Sequence, residues 1–131
     1  MKRETKLENK LLLGKEVSSS LTQELSSTIS NLKDSNIIPK LAAILVGENP
    51  ASQIYVNSKA KFFRNNNCDS QTFRFDLEVS EEEVLECIQS LNQDNLIHGI
   101  LVQLPLPKQF NNEKILSAIS AKKDVDGFHP Y

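Results

Sequence analysis

The chain has 131 residues, the size of one ordinary domain, and its 39% hydrophobic and 24% charged residues are typical of a globular protein. Its net charge of -2 argues against a nucleic-acid-binding role, which usually comes with a basic excess. No apolar run approaches the ~20 residues of a membrane helix, and no signal-peptide core follows the charged N-terminus. We therefore expect a cytoplasmic protein with neither a membrane nor a nucleic-acid partner.

The first half of the sequence predicts a helix, a strand and a second helix. Apolar residues recur at steps of three and four from Gly14 to Leu32, which favours an amphipathic helix. Leu41 to Val46 is a continuous apolar run, typical of a strand that is covered on both faces in a parallel sheet. Ser52 is the predicted N-cap of a helix that ends near Asn66. The candidate buried positions of this helix are Ile54, Phe62 and Phe63.

The second half repeats the alternation of strand and helix. Thr72 to Leu77 alternates in polarity and predicts a strand. Ser80 and Glu83 fit a capping box at the start of a helix whose apolar face is Val84, Leu85, Ile88 and Leu91. A short strand is predicted over Ile100–Val102, and Asn111 or Asn112 begins the last helix, with Ile115, Leu116 and Ile119 facing inward. Lys122 to Tyr131 closes the chain as a polar, irregular segment.

This order of elements predicts an α/β fold, a three-layer αβα domain with a mainly parallel sheet. Only three strands are clear, so the sheet is expected to be small unless a further strand exists. We expect residues 1–131 to form one domain, with a final segment at about 122–131 that leads toward a following domain. Cys68 and Cys87 have no metal-binding spacing and are expected to be reduced thiols.

Tyr55 and Lys59 are four residues apart on a predicted helix and therefore share a face. A tyrosine hydroxyl can orient a neighbouring lysine, and a lysine that is partly shielded from water can act as an acid or base near neutral pH. The same pattern also fits an ordinary amphipathic tyrosine and a solvated lysine, and Lys61 could serve as well as Lys59.

Two further segments could bind a ligand. Ligands bind beyond the carboxyl ends of parallel strands, where Gln103 is followed by Leu104 and Pro105. Asp124 and Asp126 lie in a turn-forming segment where a carboxylate could accept hydrogen bonds from an amino-heterocycle. An incidental glutamine and a solvated turn are the alternatives. We expect no metal site, because carboxylate ligands are not clustered and His98 and His129 lack metal spacing. His98 is expected to be a strand-entry residue.

Three segments resemble the N-terminal catalytic domain of the bifunctional methylenetetrahydrofolate dehydrogenase/methenyltetrahydrofolate cyclohydrolase family. They are Val46-Gly47-Glu48-Asn49-Pro50-Ala51-Ser52-Gln53-Ile54-Tyr55-Val56-Asn57-Ser58-Lys59, His98-Gly99-Ile100-Leu101-Val102-Gln103-Leu104-Pro105-Leu106-Pro107 and Lys123-Asp124-Val125-Asp126-Gly127-Phe128-His129-Pro130. The resemblance runs from about Leu11 to the end of the chain. It implies a folate-binding domain that acts in one-carbon metabolism.

The resemblance also implies a role for each matched residue. Lys59 is implied to be the catalytic acid/base, and Gln103 to bind it and tune its protonation. Tyr55 is implied to stack on the folate, and Asp126 to hold the pterin ring. Supporting and lining roles are implied for Ser52, Leu104 and Pro105.

The family continues into a Rossmann-type domain that binds NADP or NAD, and the glycine-rich fingerprint of that domain is absent from this sequence. The resemblance therefore implies that dehydrogenase activity needs more than this chain. It also implies tetrahydrofolate derivatives as substrates and a homodimer for the full-length enzyme. Two alternatives remain open: a non-enzymatic folate-binding or interaction module, and the substrate domain of another dehydrogenase.

Overall fold

The computed structural model describes residues 23–127. The chain divides into two compact units, Met1–Ile37 and Ile38–Tyr131. In the first unit, residues 23–34 form helix α1. The start of the predicted helix at Gly14 lies outside the described residues, and the helix ends two residues later than the predicted Leu32. Leu25, on the predicted apolar face, is 56% exposed. Asn36, at a φ of 62°, follows the end of the helix.

The second unit is built on a sheet of three parallel strands, β1 (Lys40–Val46), β2 (Asp69–Phe75) and β3 (Gly99–Val102). Their order is β2-β1-β3, so β1 lies in the middle. All six residues of the apolar run from Leu41 to Val46 are buried. Because a central strand is covered on both faces, its sequence is continuously apolar. The predicted strand is thus confirmed, with Lys40 added at its start.

Helices cover both faces of the sheet. They are α2 (Pro50–Asn65), α3 (Glu81–Gln93) and α4 (Asn112–Ala118). Leu41, Ala43 and Leu45 of β1 form one buried cluster with Val56 of α2. The alternate residues of β1 form a second cluster with side chains of α3 and α4; its members include Ala42, Ile44, Val46, Val84, Ile88 and Ile115. Successive strand side chains point to opposite faces, so the predicted three-layer αβα fold is confirmed.

The predicted helix starts at Ser80 and Asn111 are confirmed. The Ser80 side chain accepts a hydrogen bond from the Glu83 amide at 3.2 Å, and the Asn111 side chain accepts one from the Lys114 amide at 3.1 Å. Each bond satisfies an amide that the first turn of a helix leaves without a partner. The three glutamates that follow Ser80 also lie at the positive end of the helix dipole.

The start and the buried face of α2 differ from the prediction. Asn49, not Ser52, is the N-cap, since its side chain accepts a hydrogen bond from the Ser52 amide at 3.0 Å and Pro50 occupies the first turn. Ile54 and Phe62 are 62% and 57% exposed, so the prediction that they are buried was wrong. The buried positions are Ser52 and Val56, with Phe63 half-buried. They recur at the helical period and face the sheet.

The bounds of β2 also differ. The strand begins three residues before the predicted Thr72 and ends at Phe75, and Leu77 is 61% exposed. Pairing with β1 sets this end: Phe75 is opposite Val46, and the Phe75 carbonyl accepts the Gly47 amide at 2.9 Å. Gly47 has a φ of 86°, a conformation in which glycine carries no steric penalty, and it turns the chain out of the sheet.

The closing segment adds one more pairing at the open edge of β3. The amide of Ile100 donates to the Lys123 carbonyl at 2.7 Å, and Asp124 forms a parallel bridge with Ile100. Within the segment that was predicted as irregular, residues 123–125 are therefore held against β3. None of the helices within residues 23–127 is long and apolar enough to cross a membrane.

Candidate active site at the carboxyl edge of the sheet

Lys59 and Gln103 meet where β3 ends. Lys59 lies on α2, and Gln103 follows β3 directly. The Gln103 amide donates to the Ile44 carbonyl at 2.9 Å, so its backbone is held by the central strand. The Lys59 ammonium donates to Oε1 of Gln103 at 3.1 Å, and both side chains are half-buried. Two residues that are 44 positions apart in sequence are thus joined in one site.

The amide group of Gln103 is fixed at both ends. Its Nε2 donates to the Leu104 carbonyl at 3.1 Å, which leaves Oε1 directed at Lys59. The Ser52 hydroxyl lies 3.4 Å from the same carbonyl and donates to it, and Ser52 is only 2% exposed. The Leu104–Pro105 peptide bond is cis, and Pro105 is exposed. Ser52 and Leu104 therefore hold the glutamine that contacts the lysine.

Asp126 faces the lysine across a small cavity. The cavity has a volume of about 230 Å³. It is lined by Lys59, Val102, Gln103, Leu104 and Asp126. Loss of hydration raises the pKa of the Asp126 carboxyl; the Lys59 charge lowers it in part, and the Asp124 charge raises it further. A cation, an amide and a carboxylate thus surround a space open to a small ligand.

Tyr55 and Pro105 lie outside the wall of this cavity. Tyr55 is one helical turn before Lys59 on α2, and 57% of its side chain is exposed. An exposed aromatic ring at the same edge of a helix is available to stack on a flat ligand. Lys61, the alternative lysine, is exposed and two residues farther along, so it points away from the face that carries Lys59.

The prediction that His98 is a strand-entry residue is confirmed. Its Nδ1 accepts a hydrogen bond from the Lys40 amide at 3.1 Å, and its own amide donates to the Lys40 carbonyl at 2.9 Å. The imidazole therefore ties β3 to the start of β1. Within residues 23–127, no three His, Cys, Asp or Glu side chains are grouped so that they could hold a metal ion.

A larger cavity, of about 670 Å³, lies beyond the ends of β1 and β2. Its charged lining is mostly acidic and comprises Glu48, Asp76, Glu78, Glu83 and one cation, Arg74. Coulombic repulsion disfavours an anionic ligand there. The smaller cavity is the better candidate, because it contains a lysine that is held by a hydrogen bond.

Asn49 supports the site, but the sequence pattern was not recognised as predicting this role. Its side chain bonds the amide of Ser52, which in turn contacts the Leu104 carbonyl. The signal was available: an Asn immediately before a Pro favours an N-cap followed by a proline in the first helical turn.

The fold and the site together define an α/β domain with a small cavity at the carboxyl edge of its sheet, lined by a lysine, a glutamine and an aspartate. Residues 12–126 match the family described as "Tetrahydrofolate dehydrogenase/cyclohydrolase, catalytic domain". Because this match covers most of the chain's length, the chain belongs to that family.

Individual relatives agree with this assignment. The bifunctional protein FolD of Geotalea daltonii is 48% identical over 122 residues, which cover 93% of this chain and 44% of that protein. The crystal structure of bifunctional FolD from Campylobacter jejuni superposes with a TM-score of 0.85 at 45% identity, covering 89% of this chain and 42% of that one. The Trypanosoma brucei enzyme, complexed with NADP cofactor and inhibitor, gives a TM-score of 0.77 at 28% identity, with 83% and 37% covered. The chain spans less than half the length of these relatives.

Asp126 has a predictable effect on stability. Since its pKa is raised in the folded chain, the folded state binds this proton more tightly than the unfolded state does. Its contribution to stability is therefore full below the ordinary Asp pKa and is lost as the pH rises through the raised value. We expect Asp126→Asn to raise the melting temperature at neutral pH relative to the parent. This gain should disappear at acid pH, whereas a gain of equal size at both pH values would contradict the assignment.

Proposed function

We propose that this chain binds a reduced folate and supplies the lysine site of a methylenetetrahydrofolate dehydrogenase/methenyltetrahydrofolate cyclohydrolase. The observation that carries the proposal is the 3.1 Å hydrogen bond from Lys59 to Gln103 in a cavity that Asp126 also lines. A lysine with one ammonium proton fixed has a defined direction toward a ligand in that cavity. The neighbouring carboxylate matches a ligand that presents N–H donors.

The pterin ring of a folate is such a ligand. Its amino group and adjacent ring N–H can donate to the two oxygens of the Asp126 carboxylate. Tyr55, exposed one turn from Lys59, offers a face on which the flat aromatic part of the folate can stack. Leu104, in the cavity wall, and the exposed Pro105 after it would contact the same ligand.

Lys59 is placed to move protons during hydrolysis of the methenyl bridge. Water adds to the amidinium carbon between N5 and N10, and the neutral amine of Lys59 accepts one proton of that water. When the bond from this carbon to N5 breaks, the ammonium returns the proton to N5. The second water proton leaves to solvent, and 10-formyltetrahydrofolate is the product. Gln103 holds the Nζ atom in position throughout.

A nicotinamide cofactor does not fit the described residues. Glycines at 47, 99 and 127 lie in separate places within residues 23–127, and they form no glycine-rich turn that could hold a pyrophosphate. We propose that NADP or NAD binds elsewhere in a longer, full-length protein, and that this protein is a cytoplasmic homodimer.

Hydrolysis of methenyltetrahydrofolate tests the proposal. The 131-residue chain and its Lys59→Ala variant are compared by following the loss of the substrate's near-ultraviolet absorbance. We expect the variant to be slower by about a hundredfold or more, the usual contribution of a general acid/base. Lys61→Ala, which removes an exposed lysine on the same helix, is the matched control and should keep the parent rate.

Measuring folate binding beside hydrolysis distinguishes an enzyme from a simple folate-binding module. If all three proteins are folded and bind folate, but hydrolyse methenyltetrahydrofolate no faster than buffer does, the chain is a binding module and the catalytic proposal fails. If the parent also binds no reduced folate, the proposal fails entirely.

A further inference from the structure

The Asp126 segment is docked on the rest of the domain by the residue three positions before Asp126. The Lys123 ammonium donates to the Leu91 carbonyl and to the Asp94 carbonyl, each at 2.8 Å. These carbonyls belong to the end of α3 and to its C-cap, and the last turn of that helix contains no basic residue of its own. Each carbonyl also accepts a backbone amide, Leu91 from Asp94 at 3.3 Å and Asp94 from Ile97 at 3.1 Å, so the Lys123 ammonium is a second donor to both. A cation at this position complements the negative end of the helix dipole.

The backbone of Lys123 is held as firmly as its side chain. Its carbonyl accepts the Ile100 amide at 2.7 Å, and its own amide donates to the Ser120 carbonyl at 2.8 Å. One residue therefore connects the edge of β3, the end of α3 and the turn after α4. The chain leaves this point toward Asp126 with its direction fixed.

Two further contacts fix the course of the chain between Lys123 and the Asp126 carboxylate. Val125 packs on Gly99 of β3. A side chain at position 99 would clash with it, because an added Cβ would lie only 2.6 Å from a Val125 methyl group. The glycine therefore leaves room for this segment. The Asp124 side chain accepts the Gly127 amide at 3.0 Å and closes the turn that contains Asp126. Asp126 itself lines the cavity with Lys59.

We propose that Lys123 is a positioning residue for the folate site, acting through Asp126. Its ammonium, anchored in the C-terminal end of α3, sets the distance of the Asp126 carboxylate from Lys59 and so the affinity for the pterin ring. Lys123 does not touch the ligand. This inference rests on the proposed function, because the ligand of Asp126 is taken to be a folate.

Affinity for 5-formyltetrahydrofolate, a chemically stable reduced folate, tests the inference by calorimetry on the 131-residue chain. We expect Lys123→Met to weaken binding by about tenfold, as for the loss of a charged hydrogen-bonded anchor. Lys123→Arg, which retains a cationic donor, should restore most of the affinity. Lys122→Met is the matched control, since it removes the same charge from an exposed neighbour and should bind like the parent.

A double-mutant cycle with Asp126→Ala separates positioning from a general loss of structure. If Lys123 acts through Asp126, Lys123→Met has no further effect on affinity once Asp126 is alanine. An undiminished tenfold effect in that background, or parent affinity in Lys123→Met itself, overturns the inference while the proposed function stands.

A measurement without ligand keeps the two proposals distinguishable. The pKa of Asp126, followed by carbon NMR of its carboxyl group, should fall toward the ordinary Asp value in Lys123→Met, because the freed segment regains water. If the parent binds no reduced folate, the proposed function fails, and this titration alone decides whether Lys123 positions Asp126. An unchanged pKa in a folded variant overturns the positioning role.

Discussion

Gln103→Glu is expected to slow the proposed hydrolysis of methenyltetrahydrofolate by about a hundredfold at neutral pH, because the new carboxylate would keep Lys59, the proposed base, protonated. The new carboxylate would stand where Oε1 now accepts the Lys59 ammonium at 3.1 Å. An opposite charge at that distance stabilises the ammonium form, which cannot take a proton from water. The variant should also lose the donor that Nε2 provides to the Leu104 carbonyl.

The pH–rate profile distinguishes this mechanism from a simple loss of folding. Activity of Gln103→Glu should return in part as the pH is raised, since Lys59 then gives up its proton despite the carboxylate. Gln71→Glu places the same charge at an exposed position on β2 and should keep the parent profile. A uniform loss of activity at every pH would mean that Gln103 does not act through the protonation of Lys59.

Ile44→Ala is expected to cost about 2–5 kcal/mol of the free energy of unfolding, the usual range for a large-to-small change in a core. Ile44 is 0% exposed in the middle of the central strand and belongs to the cluster packed by α3 and α4. Its truncation leaves a cavity that close-packed neighbours cannot fill. Urea unfolding followed by circular dichroism measures the loss.

Ile54→Ala is the matched control for that measurement. It makes the same chemical change on α2, at a side chain that is 62% exposed, and should alter stability by no more than about 0.5 kcal/mol. Similar losses at both positions would contradict the burial pattern of the sheet and of α2.

The sequence alone was sufficient to predict a strand or a helix start where one local signal dominates. The unbroken apolar run before Gly47 predicted a doubly covered strand, and the Ser80–Glu83 pair predicted the start of α3. The same reasoning was wrong for Ile54 and Phe62, because hydrophobicity alone does not say which face of a helix meets the sheet. The small Ser52 and Val56 occupy that face instead, where the backbone of α2 packs close to β1.

The candidate site depends on contacts that no local pattern contains. Helical spacing placed Tyr55 and Lys59 on one side of α2, but it could not say whether this side meets Gln103 or solvent. The partnership of Lys59 with Gln103 and Asp126 arises only when three strands align their carboxyl ends. The family resemblance indicated these residues before the geometry was known. Neither resemblance nor pattern indicated the anchoring of Lys123, because its partners are backbone carbonyls, which leave no trace in sequence.

The order of the strands has a consequence for how the domain folds. Leu41 pairs with Ser70 on one side and with Gly99 on the other, so the second pairing closes a loop about twice as long. Each doubling of a flexible loop adds about 0.6 kcal/mol of closure entropy. We expect β1, α2 and β2 to associate first and β3 to join later. Lys59 would then be in place before Gln103 arrives, and the ability to bind ligand would emerge only in the last stage of folding.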